Sequence, residues 1–156
     1  EYRALCLGYS EYRPDSQLRG LLFNFECDAP YGYSPEEMTK FQATPDAPAT
    51  FTIQNTSDER RADYYPILEI KAGATGTVTI KNSVYPEDVL ELSLINGQQL
   101  TIDNRQGLIE DPMGMFDYGN DTNLQWLRLA YGANTLTVTG SASGCVRCRY
   151  IRKVGI

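Results

Sequence analysis

The sequence predicts an all-β protein, a β-sandwich or jelly roll, and three observations lead to this prediction. About eight short segments alternate apolar and polar residues, which is the period of a strand with one buried face. Turns rich in Gly, Pro, Asn and Asp separate these segments at regular spacing, as in sandwiches. No window shows a convincing helical period. With 156 residues, 42% of them hydrophobic, the chain is long enough for one domain with a substantial core.

Residues 1–27 are predicted to form a β-hairpin that precedes the sandwich. Two alternating runs, YRALCLGY and LRGLLFNFEC, flank a polar loop. The second run places Leu21, Phe23 and Phe25 on one face. Because a lone hairpin is only marginally stable in water, we expect this one to pair with a neighbouring copy or another chain.

Residues 28–48 are predicted to be a Pro-rich linker arm. The segment contains four prolines and few aliphatic residues, and proline cannot extend a β-ladder. Ser34 followed by Pro35 and two glutamates favours a single helical turn, since Ser caps a helix, Pro suits its first position and acids suit its positive end. The sandwich domain is therefore predicted at residues 49–156.

The clearest strand pattern within that domain lies at residues 89–103, VLELSLINGQQLTID, where apolar residues recur at alternate positions on both sides of Asn96-Gly97. Asn-Gly between two such runs favours a type I′ turn, in which both central residues have positive φ. The sequence thus predicts a β-hairpin at 89–103, with residues 100–103 as the central strand of the sandwich. A tight turn at 103–107 follows, in which Asp103 is a turn residue rather than an acid catalyst. Further strands are predicted at 49–54, 65–71, 77–82, 107–111, 124–129, 135–139 and 144–151.

The charge distribution bears on the partners of the chain. The net charge is −6, although Arg147, Arg149, Arg152 and Lys153 make the C-terminal end basic. An acidic body argues against nucleic-acid binding, which requires stripes of Lys and Arg. The basic end suits an acidic partner, with a solvated strand face as the favoured alternative. No apolar run approaches the roughly 18–20 residues of a membrane span.

The four cysteines, Cys6, Cys27, Cys145 and Cys148, are predicted to be buried reduced thiols of a chain made in a cytoplasm. Cys145 and Cys148 have the spacing of half a zinc knuckle. They lie on a predicted strand, however, where residues three apart point to opposite faces, and the chain contains no histidine. We therefore predict no metal site.

No catalytic or cofactor-binding residue is predicted. The absence of histidine removes the common triads. The acidic residues of the second half lie in turns and loops, where Asp forms local hydrogen bonds. Residues 117–123 supply oxygen ligands but lack the order of an EF-hand, so an Asx-stabilised loop is favoured over a calcium site. The acidic residues considered are Asp103, Glu110, Asp111, Asp117 and Asp121.

Trp126 and Tyr131 suggest an alternative function. Aromatic rings at the rim of a sandwich can stack on a sugar, which would make the chain a carbohydrate-binding module for host-surface glycans. The apolar run around Trp126 favours instead a tryptophan anchored in the core, because Trp is mostly buried.

Several spaced motifs resemble those of siphophage-type distal tail proteins. LLFNFECDAPYGYS resembles the segment that joins the two domains of those proteins, and the runs from ATFTIQN to VRCRYIRK follow the order of their C-terminal galectin-like jelly roll. One motif, W-x-x-L-x-x-G-x-N, consists of Trp126, Leu129, Gly132 and Asn134. The resemblance spans roughly residues 18–154.

The resemblance implies a structural role without catalysis. Distal tail proteins form a hexameric ring at the tip of the tail tube through their N-terminal domain, and they link the tube to the baseplate or fibre. Residues 1–27 would then be the last hairpin of that ring-forming domain. The implied partners are other copies and other tail proteins. The implied location is the virion tail tip, after synthesis in the bacterial cytoplasm.

Overall fold

The computed structural model describes residues 4–27 and 31–153, and these residues form thirteen β-strands and no helix. The all-β prediction is confirmed. The parts of the predicted hairpin, linker and sandwich that fall at 1–3, 28–30 and 154–156 lie outside the described residues. The strands are β1 (Ala4–Tyr12), β2 (Gly20–Cys27), β3 (Tyr31–Tyr33), β4 (Glu37–Ala43), β5 (Ala49–Asn55), β6 (Ile67–Ala72), β7 (Gly76–Asn82), β8 (Tyr85–Leu94), β9 (Gln99–Asp103), β10 (Leu108–Glu110), β11 (Gly132–Thr139), β12 (Ala142–Cys148) and β13 (Ile151–Lys153).

Nine of these strands form a sandwich of two antiparallel sheets. One sheet has the order β10-β9-β6-β12-β4 and the other the order β5-β11-β7-β8. Alternate residues of both sheets point into one shared core, as the period of two predicts. The rings of Phe41 and Phe51 stack across the two sheets with centroids 5.6 Å apart. Other core residues include Ile53, Leu68, Val78, Leu90, Leu92, Leu100, Leu136 and Val146.

The Asn96-Gly97 turn carries the chain from one sheet to the other, so the predicted hairpin at 89–103 is wrong. β8 pairs with β7 in the four-stranded sheet, whereas β9 pairs with β6 in the five-stranded sheet. Gln98 N donates to Ile95 O at 3.0 Å, and only Gly97 of the two central residues has a positive φ, of 83°. This is the pattern of a type II turn, whose twist splays the flanking strands instead of pairing them.

The position of residues 100–103 also differs from the prediction. β9 lies between β10 and β6, while β6 occupies the centre of the five-stranded sheet. The turn predicted after it is present and joins β9 to β10. Asp103 Oδ1 accepts hydrogen bonds from the N–H groups of Arg105 (2.9 Å) and Gln106 (3.0 Å), as expected of a turn aspartate.

The predicted linker at 28–48 contains two strands within its described part. β3 pairs with β13, and β4 forms an edge of the five-stranded sheet beside β12. Ser34 caps no helix. Its backbone N–H donates to Tyr150 O at 2.8 Å, and its Oγ accepts from Tyr150 N at 3.0 Å. The sandwich therefore begins inside the segment that proline content assigned to a linker.

Residues 124–129 form an extended segment outside the sheets, not the predicted strand. Single bridges hold it, at Thr122 to Leu92 and at Leu129 to Tyr64. Leu124 has a φ of 56°, a left-handed conformation that interrupts a strand. The side chains of Leu127 and Leu129 are nevertheless buried, so the segment closes one side of the core without extending a sheet.

Candidate protein interaction surface

The β1–β2 hairpin presents a row of exposed aromatic side chains on one face. Tyr9 pairs with Phe23 across the two strands, and Cys6 pairs with Phe25. The ring centroids of Tyr9 and Phe23 lie 6.2 Å apart, and those of Phe23 and Phe25 lie 6.4 Å apart. These rings contact one another and remain exposed among the described residues, with Phe25 66% accessible.

The opposite face of the hairpin also carries exposed apolar side chains among polar ones. Leu5, Leu22 and Tyr12 are all exposed, with 70% of Leu5 accessible. A β-bulge at Leu7 shifts the register between Cys6 and Gly8, and the Leu7 side chain is exposed as well. A β-bulge changes which residues share a face and increases the local twist of the strand. The hairpin therefore displays apolar residues on both sides.

Among the described residues, the hairpin stands apart from the sandwich. The hydrogen bonds and ring contacts of residues 4–27 join these residues to one another. A contiguous exposed apolar surface of this kind marks a protein–protein contact in a soluble protein. A two-stranded hairpin without further packing is marginally stable, which leads to the same conclusion.

The cysteines divide between the two parts of the molecule. Cys6 and Cys27 are exposed on the aromatic face of the hairpin, so the prediction that they are buried is wrong. Cys145 and Cys148 are buried, and only Cys148 belongs to the core cluster, in agreement with opposite strand faces. Burial raises the pKa of Cys148 to about 11. No group of three or more His, Cys, Asp or Glu side chains in residues 4–27 and 31–153 is arranged to hold a metal ion.

A shallow groove of about 310 Å³ on the outer face of the five-stranded sheet contains the other notable thiol. Cys145 Sγ donates to Glu69 Oε2 at 3.4 Å at its floor. Burial and the neighbouring carboxylate of Glu69 both raise the pKa of this thiol. Because the thiolate is the nucleophilic form, this pair is not an activated nucleophile.

The structure does not bring Trp126 and Tyr131 together. Trp126 is half-buried and packs on the core beside Gly107, where an added Cβ would lie 3.3 Å from its Cζ2. Tyr131 is exposed, and the guanidinium of Arg60 lies 5.0 Å from its ring centroid. The two aromatic residues thus occupy different surroundings. A carbohydrate site at these residues stays a prediction.

The acidic loop residues serve as local hydrogen-bond acceptors. Asp111 Oδ2 accepts from Gln98 Nε2 (2.9 Å) and from the N–H groups of Met115 (2.9 Å) and Phe116 (3.0 Å). Partial burial alone would raise the pKa of Asp111, but these bonds to the charged form hold it below its usual value. Asp117 Oδ1 likewise accepts from Gly119 N at 2.8 Å, which lowers the pKa of Asp117.

Two of the four basic side chains near the C-terminal end, those of Arg147 and Lys153, are paired with carboxylates within the chain. Arg147 forms ion pairs with Glu36 at 2.9 Å and with Glu69 at 2.6 Å. Lys153 lies 3.1 Å from Glu59. These carboxylates occupy the positions that an acidic partner would need.

No helix of the described residues is long and apolar enough to cross a membrane.

These features define an all-β sandwich protein with an unpaired apolar hairpin. The family model described as "Phage tail C-terminal domain" matches residues 31–148, well over half of the chain, and the chain belongs to this family. The match covers β3 to β12 and leaves the hairpin outside. The resemblance to phage tail proteins drawn from the motifs is confirmed.

A solved structure shares this fold. The crystal structure of SPP1 Dit (gp 19.1), described as a paradigm of the hub adsorption apparatus in phages that infect Gram-positive bacteria, aligns with a TM-score of 0.58 and 16% identity. The alignment covers 96% of this chain and 60% of that one, so the chain spans less than two thirds of the SPP1 protein. No curated protein sequence matches the chain.

Proposed function

We propose that the chain is a structural adaptor at the tip of a phage tail, which links the tail tube to the baseplate or fibre through protein contacts and carries out no catalysis. The observation that supports this proposal is the hairpin, which exposes apolar side chains on both faces and, among the described residues, forms no hydrogen bond or ring contact with the sandwich. A chain made in the bacterial cytoplasm and then built into a virion would bury such a surface on assembly.

The neighbour that covers the hairpin is, in this proposal, another copy of the chain. Full burial of a large apolar side chain stabilises by about 1.5–3 kcal/mol relative to exposure. Phe23 and Phe25 alone are 51% and 66% exposed, so their coverage would contribute appreciably to assembly. The resemblance to distal tail proteins implies a hexameric ring, with the sandwich as a galectin-like domain on its outside.

The oligomeric state of the full chain tests the proposal. We expect light scattering after size exclusion to show an oligomer for the unmodified chain and a smaller species for a Phe23→Ser, Phe25→Ser variant, because polar residues would replace the aromatic row. Met113→Ser is the matched control. Met113 is 54% exposed but lies in a loop of the sandwich, so its loss should leave the assembly intact. A strictly monomeric unmodified chain would overturn the ring.

A further inference from the structure

The edge strands of the sandwich are protected unequally. An unpaired edge invites another chain to add a strand, and proteins block this with covering loops, charges or prolines. The edge of β8 is covered by the loop around Asn123, whose Oδ1 accepts from Glu91 N at 3.1 Å. The edge of β10 is covered by the Tyr118 hydroxyl, which lies 2.6 Å from both the N and the O of Ile109. Two of the four edges are thus occupied by the chain itself.

The two remaining edges, β4 and β5, differ in charge. β4 carries Glu37 and Lys40, both exposed. β5, Ala49–Asn55, has the sequence ATFTIQN, with no charged residue and no proline. Within the described chain β5 pairs with β11 on one side, and no backbone hydrogen bond from a described residue occupies its other side. A seven-residue, β-prone, uncharged segment at an open edge is the pattern that favours strand addition.

We propose that β5 pairs antiparallel with β5 of a second copy about a two-fold axis at Thr52, which joins two four-stranded sheets into one continuous sheet. A two-fold contact requires a surface complementary to itself. This register sets Thr52 opposite its own counterpart, Phe51 opposite Ile53 of the second copy, and Thr50 opposite Gln54 of the second copy. Apolar residues meet apolar residues on the inner face, and polar residues meet polar residues on the outer face.

The charge distribution allows two copies to meet at this edge, and the self-complementary register argues for a second copy as the occupant. The chain carries a net charge of −6, so two copies repel each other over most orientations. The outer face beside β5 is uncharged. Thr52 lies 3.3 Å from Thr135, and Thr50 lies 3.5 Å from Thr137, in each case between the hydroxyl oxygens. Like charges directly opposite each other destabilise a strand pair, and this edge brings none together.

The contact is small and acts together with other contacts. One pair of seven-residue strands lies at the low end of interface sizes, so the isolated dimer is weak and concentration-dependent. Where the hairpin already gathers several copies, the effective concentration of β5 rises and pairing needs less intrinsic affinity. The contact would then join one assembly to the next.

Sedimentation velocity of the full chain with Phe23→Ser and Phe25→Ser isolates this contact from the hairpin. We expect a monomer–dimer equilibrium that shifts with concentration. Thr52→Lys and Thr52→Glu should each abolish the dimer, because like charges then face each other, and an equimolar mixture of the two should restore it. Thr77→Lys is the control. Thr77 is exposed on β7 of the same sheet, away from the edge, and its substitution should leave the dimer unchanged.

Three outcomes would overturn the pairing. The background variant could stay monomeric at every concentration. Thr52→Lys could associate as strongly as Thr77→Lys. The Lys and Glu variants could remain monomeric when mixed, which would exclude a two-fold axis at residue 52. The ring assembled by the hairpin is tested in the unmodified chain. Failure of the β5 pairing would therefore not contradict the proposed ring.

Discussion

Asn82 and Asn134 hydrogen-bond to each other inside the protein, with Asn82 Nδ2 donating to Asn134 Oδ1 at 3.0 Å. Both side chains are buried. Asn134 Oδ1 also accepts from Ala130 N at 2.9 Å, and its Nδ2 donates to the carbonyl oxygens of Ala130 (2.8 Å) and Gly132 (3.0 Å). Asn82 Nδ2 further donates to Arg128 O at 2.8 Å. This pair fastens the irregular segment that precedes β11 to the four-stranded sheet.

Asn134→Ala should therefore lower the free energy of unfolding substantially. The substitution leaves the backbone N–H and C=O groups of Ala130 without their partner. Each buried polar group left without a partner costs about 1–3 kcal/mol. Urea denaturation measures the change. Asn120→Ala serves as the control, because Asn120 is exposed and bonds only a surface aspartate, so a change within about 0.5 kcal/mol is expected. Equal losses of unfolding free energy in the two variants would contradict a structural role for the asparagine pair.

Gly144 is required by the close approach of β12 to β6 and β4. A Cβ at this position would lie 2.0 Å from the carbonyl oxygen of Glu69 and 3.0 Å from Cζ of Phe41. Gly144→Ala should destabilise the sandwich by about 1–3 kcal/mol or more, since neither neighbour can move without disturbing the sheet. Thermal unfolding compares it with Gly20→Ala, where a Cβ meets nothing within 4 Å. A stable Gly144→Ala protein would show that the strands can separate there without cost.

The sequence predicted which face of most sandwich strands is buried, because alternation is a local property. Ile53, Leu68, Val78, Leu90 and Leu136 occupy alternating apolar positions of the predicted strands, and all five are buried. Strand pairing was not predictable in the same way. Asn-Gly permits a positive φ, yet whether the flanking strands then pair or separate into two sheets depends on which other strands compete for their edges. Here β6 pairs with β9 and β7 pairs with β8, which places β8 and β9 in different sheets.

The alternation pattern did not correctly predict two further elements, for different reasons. β4 supplies only Phe41 and Ala43 to the core, too few apolar residues to display alternation beside so many prolines. Residues 124–129 are apolar like a strand, but apart from the bridge between Leu129 and Tyr64 their backbone groups bond to side chains, some of them distant in sequence. Asn104 Oδ1 accepts from Leu127 N at 2.8 Å, and Asn55 Nδ2 donates to Leu129 O at 3.2 Å. Such pairings join residues far apart in the sequence and produce no periodic pattern in it.

The hairpin surface was only partly predictable. Alternation identified the strand containing Phe23 and Phe25, but exposure depends on what packs over it, which sequence alone does not reveal. The adjacent pair Leu21-Leu22 places apolar side chains on both faces, and this pattern indicates a strand covered on both sides in its assembled state.

The four thiols should differ in reactivity. In the Phe23→Ser, Phe25→Ser variant the exposed Cys6 and Cys27 should react rapidly with a disulfide reagent near neutral pH. Cys145 and Cys148 should stay protected, because burial both blocks access and raises their pKa values, that of Cys148 to about 11. A colorimetric thiol assay should count two fast thiols in native protein and four in urea. Adding Cys6→Ser and Cys27→Ser should abolish the fast phase; a persistent fast phase would place one of the inner thiols at the surface.

Acidification should loosen the loop that follows β10, and Asp111 is the group responsible. Hydrogen bonds from Gln98, Met113, Met115 and Phe116 outweigh partial burial and lower the pKa of Asp111 in the folded protein. A lowered folded pKa means that the stabilisation is present above the ordinary aspartate pKa and is lost as the pH falls through the folded value. Unfolding free energies measured from pH 7 down to about pH 3 should therefore decline less steeply for Asp111→Asn than for the unmodified chain. Asp46→Asn, in an exposed turn, should retain the unmodified slope, and identical slopes for all three proteins would exclude Asp111 as a source of the pH dependence.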